Sequence, residues 1–111
     1  MRIEARGPEG VLIELRWHLE NELEDRGYQE GPRVLSAETG TYTNFIKGKG
    51  MVGVQLVAGE EEDSVLKMES EQENQEWHEM WDAALIRLGK DVLTRIETFA
   101  KDRSRVLQNL K

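Results

Sequence analysis

The chain has two histidines, and they sit in matching surroundings. Residues 15–25 read LRWHLENELED and residues 76–86 read EWHEMWDAALI. Each His follows a Trp and precedes an acid by four positions, pairing His18 with Glu22 and His78 with Asp82. Residues four apart share one face of an α-helix, so each pair can offer an imidazole nitrogen and a carboxylate oxygen to the same ion or proton. Two such pairs face to face would form an N2O2 set suited to zinc or another first-row metal. The opposing reading is a His–carboxylate pair that adds a few tenths of a kcal/mol to a solvated helix. A Trp at i−1 points about 100° away from its His, and nothing in the sequence brings the two pairs together. The denser helical motif His-Glu-x-x-His is absent. The structural reading is therefore preferred to the metal set His18, Glu22, His78 and Asp82, and no cofactor is expected.

Other chemistry has weaker support. With no Cys in the chain, thiolate catalysis, disulfides and Cys-based metal sites are excluded. No Ser lies in a G-x-S-x-G elbow. The run GKGMVG places Gly48, Gly50 and Gly53 between two predicted strands, and its Lys is not followed by Ser or Thr, so it does not make a phosphate loop. Those glycines predict a hairpin turn and, at Gly53, a bulge or close packing under a Trp. Glu60, Glu61, Glu62 and Asp63 lack the alternating spacing of a calcium loop and read as a solvated turn. No catalytic residue is assigned.

Charge narrows the partners. The net charge is −7; residues 59–82 carry ten acids against one base, whereas residues 83–111 carry seven bases against three acids. Direct nucleic-acid binding is disfavoured, because affinity there comes from neutralising phosphates. Residues 1–10, MRIEARGPEG, lack the apolar core of a signal peptide. No apolar run approaches the roughly 20 residues of a membrane span. The expectation is a cytoplasmic protein of one domain, residues 1–111.

The elements that would position these residues follow from periodicity. RIEAR alternates, with Ile3 and Ala5 on one face, and predicts a short strand. Leu12, Leu15, Leu19 and Leu23 form one stripe of a helix over about residues 9–26, entered near Pro8 and stopped by Gly27. Ile13 and Trp17 lie to the side of that stripe, giving the helix a wider apolar face than one core contact needs. Residues 32–68 predict antiparallel strands joined by short loops, with Val52, Val54, Leu56 and Ala58 on one face. Ser70 and Glu73 have capping-box spacing. From there Trp77, Trp81, Ala84, Leu88, Val92, Ile96, Phe99, Val106 and Leu110 follow at steps of three and four.

These features predict an α+β fold: an antiparallel sheet of four to five strands, packed by the N-terminal helix and a long C-terminal helix over about residues 71–110. The long helix would span roughly 60 Å, more than one domain of this size can cover. It either breaks, near Gly89 or residues 101–104, or packs on a second copy through Val92, Ile96, Phe99, Val106 and Leu110. The functional expectation is a small acidic non-enzymatic interaction module, acting as regulator, adaptor or chaperone for an unidentified protein partner, and a homodimer. Its candidate contact residues are Trp17, Ile13, Trp77, Trp81, Glu60, Glu61 and Glu62; for Trp77 and Trp81 the preferred reading is a plug that closes the open face of the sheet, which leaves Trp17 as the first Trp to face a partner. Two alternatives stay open: a ligand-binding or metal-dependent module with a pocket between sheet and C-terminal helix, tested first at His78, Tyr42 and Glu22, and an acidic inhibitor that mimics nucleic acid on a basic partner surface.

Overall fold

The computed structural model describes residues 2–36, 40–48, 50–58, 63–70, 75–89 and 96–99. Strand β1, Arg2–Pro8, leads directly into helix α1, Glu9–Asp25. Four strands follow: β2 Gln29–Ser36, β3 Gly40–Lys47, β4 Gly50–Ala58 and β5 Asp63–Ser70. Helix α2 covers Gln75–Leu88, and a three-residue strand β6 covers Glu97–Phe99. The sheet order is β2-β3-β4-β5-β1-β6, and every neighbouring pair is antiparallel. The fold is α+β, with five long strands, where periodicity predicts four to five, and a short sixth on the edge beside β1.

β1 and β2 are parallel and stand four positions apart in the sheet, a separation of roughly 19 Å at 4.8 Å per strand. A helix of this length covers roughly 25 Å, enough to make the crossover, and α1 accordingly lies against β1, β4, β5 and β2. Its Leu12, Leu15, Leu19 and Leu23 are all fully buried, together with Ile3 and Ala5 of β1, Val54 of β4, and Leu66 and Met68 of β5. Side chains alternate along a strand, so these residues define the covered face of the sheet. Phe45 and Thr43 of β3 complete it.

The end of α1 is set by local chemistry. Gly27 adopts φ +93, which a residue with a Cβ resists. The Tyr28 amide donates to the Leu23 carbonyl at 3.0 Å, and the Gly27 amide to Glu24 at 3.0 Å. This is a Schellman closure, and it directs Tyr28 back onto the core. At the start, Pro8 stands at the N-cap with φ −58 and ψ 138, where its missing amide costs nothing.

The C-terminal half departs from the periodic reading. Ser70 ends β5 opposite Val52, so it does not open the helix, which begins at Gln75. The helix closes at Leu88, and Gly89 takes φ +88, so the break falls at the first of the two expected points. The expected continuous helix is further overturned at Glu97–Phe99, which pair with Arg6, Ala5 and Glu4 of β1. The reason is tertiary: the outer edge of β1 has unsatisfied amides and carbonyls, and Ile96, Thr98 and Phe99 are strand formers as readily as helix formers. Ile96 packs against the core, and Phe99 lies in β6. The stripe thus no longer carries an argument for a helix-mediated dimer. Val92, Val106 and Leu110 lie outside the described residues. Among the described residues no helix is long and apolar enough to cross a membrane.

Candidate interaction surface

The Leu stripe fixes how the rest of α1 is presented. Trp17 lies about 160° around the helix from Leu19, on the side away from the sheet, and 60% of its surface is exposed. Ile13, one turn earlier, is 42% exposed. These are the two residues that widened the apolar face in the sequence. The Trp17 and His18 rings do meet, with centroids 5.2 Å apart and planes tilted by 54°, closer than the divergence of adjacent helical side chains led us to expect.

Ion pairs fasten both flanks of the helix. On one flank Glu20 receives Arg33 of β2 at 2.9 Å, with Arg16 at 3.9 Å, and Arg33 also reaches Glu30 at 3.0 Å. Burial raises the Glu20 carboxyl above its ordinary value, outweighing the attraction of Arg33 and Arg16. The hydrogen bond to Glu30 is the largest influence raising Arg33. On the other flank the buried Glu22 meets Arg87 of α2 at 2.9 Å and Arg26 at 3.6 Å, while Arg26 lies 3.8 Å from Glu79. At the C-terminal end of α1, Lys47 sits over the Tyr28 ring, 5.5 Å from its centroid, and 3.7 Å from Glu76. Burial, reinforced by Glu76, raises the Tyr28 hydroxyl.

The predicted four-ligand set is not assembled among the described residues. His18 lies 3.6 Å from Glu14, four residues before it, and Glu22 is engaged by arginines. His78 and Asp82 are buried on α2. Among the described residues no three His, Asp or Glu side chains converge as metal ligands would, so the four-ligand set is not formed. Tyr42 is not beside His78 in a pocket between sheet and helix. It lies on the opposite face of the sheet, over Gly53, where an added Cβ would come within 2.6 Å of its hydroxyl. The close approach expected at Gly53 is present, under Tyr42 and not under a Trp. Met80, Trp81, Ala84 and Leu85 of α2 are all fully buried in the common core, where α2 lies against α1.

Trp81 therefore belongs to the core, and its assignment as a contact residue is corrected: its position on the apolar stripe of α2 places the indole inward. The Trp77 side chain and Glu60, Glu61 and Glu62 lie outside the described residues. The sequence reading missed a second apolar group. Ile46 and Met51 face one another across β3 and β4 on the face of the sheet opposite α1, and both are exposed, as is Val34 of β2. The alternation of TYTNFIK contained that signal, since Tyr42, Asn44 and Ile46 must share the face opposite Thr43 and Phe45. Toward β5 and β1 the same face becomes charged, with Arg2 2.9 Å from Glu4 and 3.7 Å from Glu69.

A scan of the chain against protein-family models finds no match, and a search of curated proteins finds no similar sequence. The functional reading rests on the geometry above.

Proposed function

We propose that the protein is a non-enzymatic protein-interaction module that docks through the outer side of α1, centred on Trp17 and Ile13. The observation that carries this reading is the exposure of Trp17, 60% of its surface, on a helix whose core-facing stripe is complete without it. An indole presents on the order of 200 Å². Covering its exposed part would withdraw roughly 100–150 Å² from water, about 3 kcal/mol at 25 cal/mol per Å². Trp is also the residue type most often dominant at protein contacts. The regulator, adaptor or chaperone roles expected from the sequence are all consistent with such a surface, and the absence of Cys fits a reducing, cytoplasmic setting.

Affinity capture from the native source tests this with three baits: the wild-type chain, Trp17→Ala and Met51→Ala. A partner retained by the wild type and Met51→Ala but lost by Trp17→Ala is the expected result. Equal recovery on all three baits overturns the reading.

Self-association is a second reading, and its support now comes from the sheet. Ile46 and Met51 form an exposed apolar pair on the face of the sheet opposite α1, and Val34 is exposed farther along that face. Light scattering at micromolar concentration should give a dimer mass that falls to the monomer in Met51→Glu; a monomeric wild type removes this reading and leaves the α1 proposal intact.

A further inference from the structure

We infer that the surface received by α1 is a cationic amphipathic helix of a protein partner, an apolar strip flanked by Lys and Arg. This rests on the docking face proposed above and adds the chemistry of what binds there.

Three observations converge. First, α1 is a 17-residue helix, Glu9–Asp25, with Trp17 at its central position. Central anchors surrounded by a polar rim are the usual form of a contact hot spot. A second helix laid alongside fits such a ridge by packing its side chains between those of α1. Second, the residues one turn from Trp17 on either side are Ile13, Glu14, Glu20 and Asn21, and Glu24 lies two turns on. Every charged residue in that ring is an acid, and Glu14 and Glu24 are exposed. Third, the helix as a whole carries six acids, Glu9, Glu14, Glu20, Glu22, Glu24 and Asp25, against a single base, Arg16. Within that ring Glu20 is paired with Arg16 at 3.9 Å and with Arg33 of β2 at 2.9 Å, so the exposed Glu14 and Glu24 set the sign of the rim.

The sign of this rim discriminates among occupants. A second copy placed symmetrically on the same face would bring Glu14 and Glu24 toward their own counterparts, and like-charge juxtaposition opposes association. An anionic membrane and a nucleic acid meet the same repulsion. A strip flanked by Lys and Arg gains both steering toward the site and burial of the indole.

The full chain, labelled with ¹⁵N, is titrated with three synthetic amphipathic helices: one of Lys and Leu, one of Gln and Leu, and one of Glu and Leu. The Lys/Leu peptide should bind and shift amide resonances centred on Ile13 to Asn21, and added salt should weaken it. Its affinity should fall about tenfold in Trp17→Ala and about tenfold in the double variant Glu14→Lys, Glu24→Lys. If the Gln/Leu or Glu/Leu peptide binds the same residues as tightly, the cationic assignment is overturned while the docking face stands. Shifts mapping elsewhere, or binding indifferent to Trp17→Ala, overturn the inference. Should Trp17→Ala also retain every partner in the capture experiment, the docking face falls with it.

Discussion

The two Trp-bearing helices lie side by side and treat the same residue type in opposite ways. On α2, Trp81 is fully buried in the core; on α1, Trp17 is 60% exposed while four leucines fill the inward positions. The histidines follow the same division, His78 being buried and His18 lying against Trp17 beside Glu14. The repeated Trp-His-x-x-x-acid string thus contains no shared site. What differs is the stripe around it: leucines claim the core on α1, so its Trp is surplus to folding, whereas on α2 the Trp is itself a member of the stripe. A large apolar side chain becomes informative about function only where the core is already closed without it.

The most severe challenge to this contrast is removal of the two indoles. Trp81→Ala should lower unfolding stability by about 3–5 kcal/mol, because it leaves a cavity in the core; chemical denaturation measures it, and a loss below about 1 kcal/mol would mean that Trp81 does not fill the core. The Arg87→Ala variant should cost about 1 kcal/mol by the same measurement. It leaves the buried Glu22 with Arg26 alone, an effect moderated by the exposure of Arg87. Trp17→Ala should change stability by less than about 0.5 kcal/mol, since an exposed site loses little packing and Ala is the better helix former. A loss as large as that of Trp81→Ala would place Trp17 in the core and end the comparison.

The smallest effect is visible only against pH. The raised Glu20 value means that the folded state holds this proton more tightly than the unfolded chain. Its contribution to stability is therefore fully present below the ordinary value of 4.5 and is lost as pH rises through the folded value. The stability of the wild type minus that of Glu20→Gln should decline as pH is raised from below 4.5 and then level off; a rising difference would show that Arg33, not burial, governs this carboxyl.

Features governed by neighbours along the chain were legible in the sequence. Ile3 and Ala5 alternate into the core, the Leu stripe of α1 is buried at every position, and Gly27 closes that helix. Trp17 and Ile13 stand aside from the stripe, as their spacing predicts. Features decided by distant neighbours were not legible. Glu22 could pair with His18 on its own helix, but arginines from the helix end and from α2 occupy it. His18 had acids four residues away in both directions, and periodicity cannot choose between Glu14 and Glu22. The steps of three and four continue through Ile96 and Phe99, yet the open edge of β1 draws Glu97–Phe99 into the sheet. Nor does a local pattern reveal the register shift between Glu30 and Arg33 beside Pro32, which bends β2 at the sheet edge.

The position of β1 has a consequence for how the chain acquires its shape. Strands β2 to β5 meet their sequence neighbours and can zip together locally, but Arg2 must find Glu69. β1 is thus seated only after β5 exists, and until it is, β5 remains a sheet edge and the Leu stripe of α1 lacks part of its floor. During synthesis β1 waits for the segment from Asp63 to Glu69 before its partner exists. Such long-range closure slows folding, and it makes the opening residues the clasp that converts a locally formed meander into a closed domain.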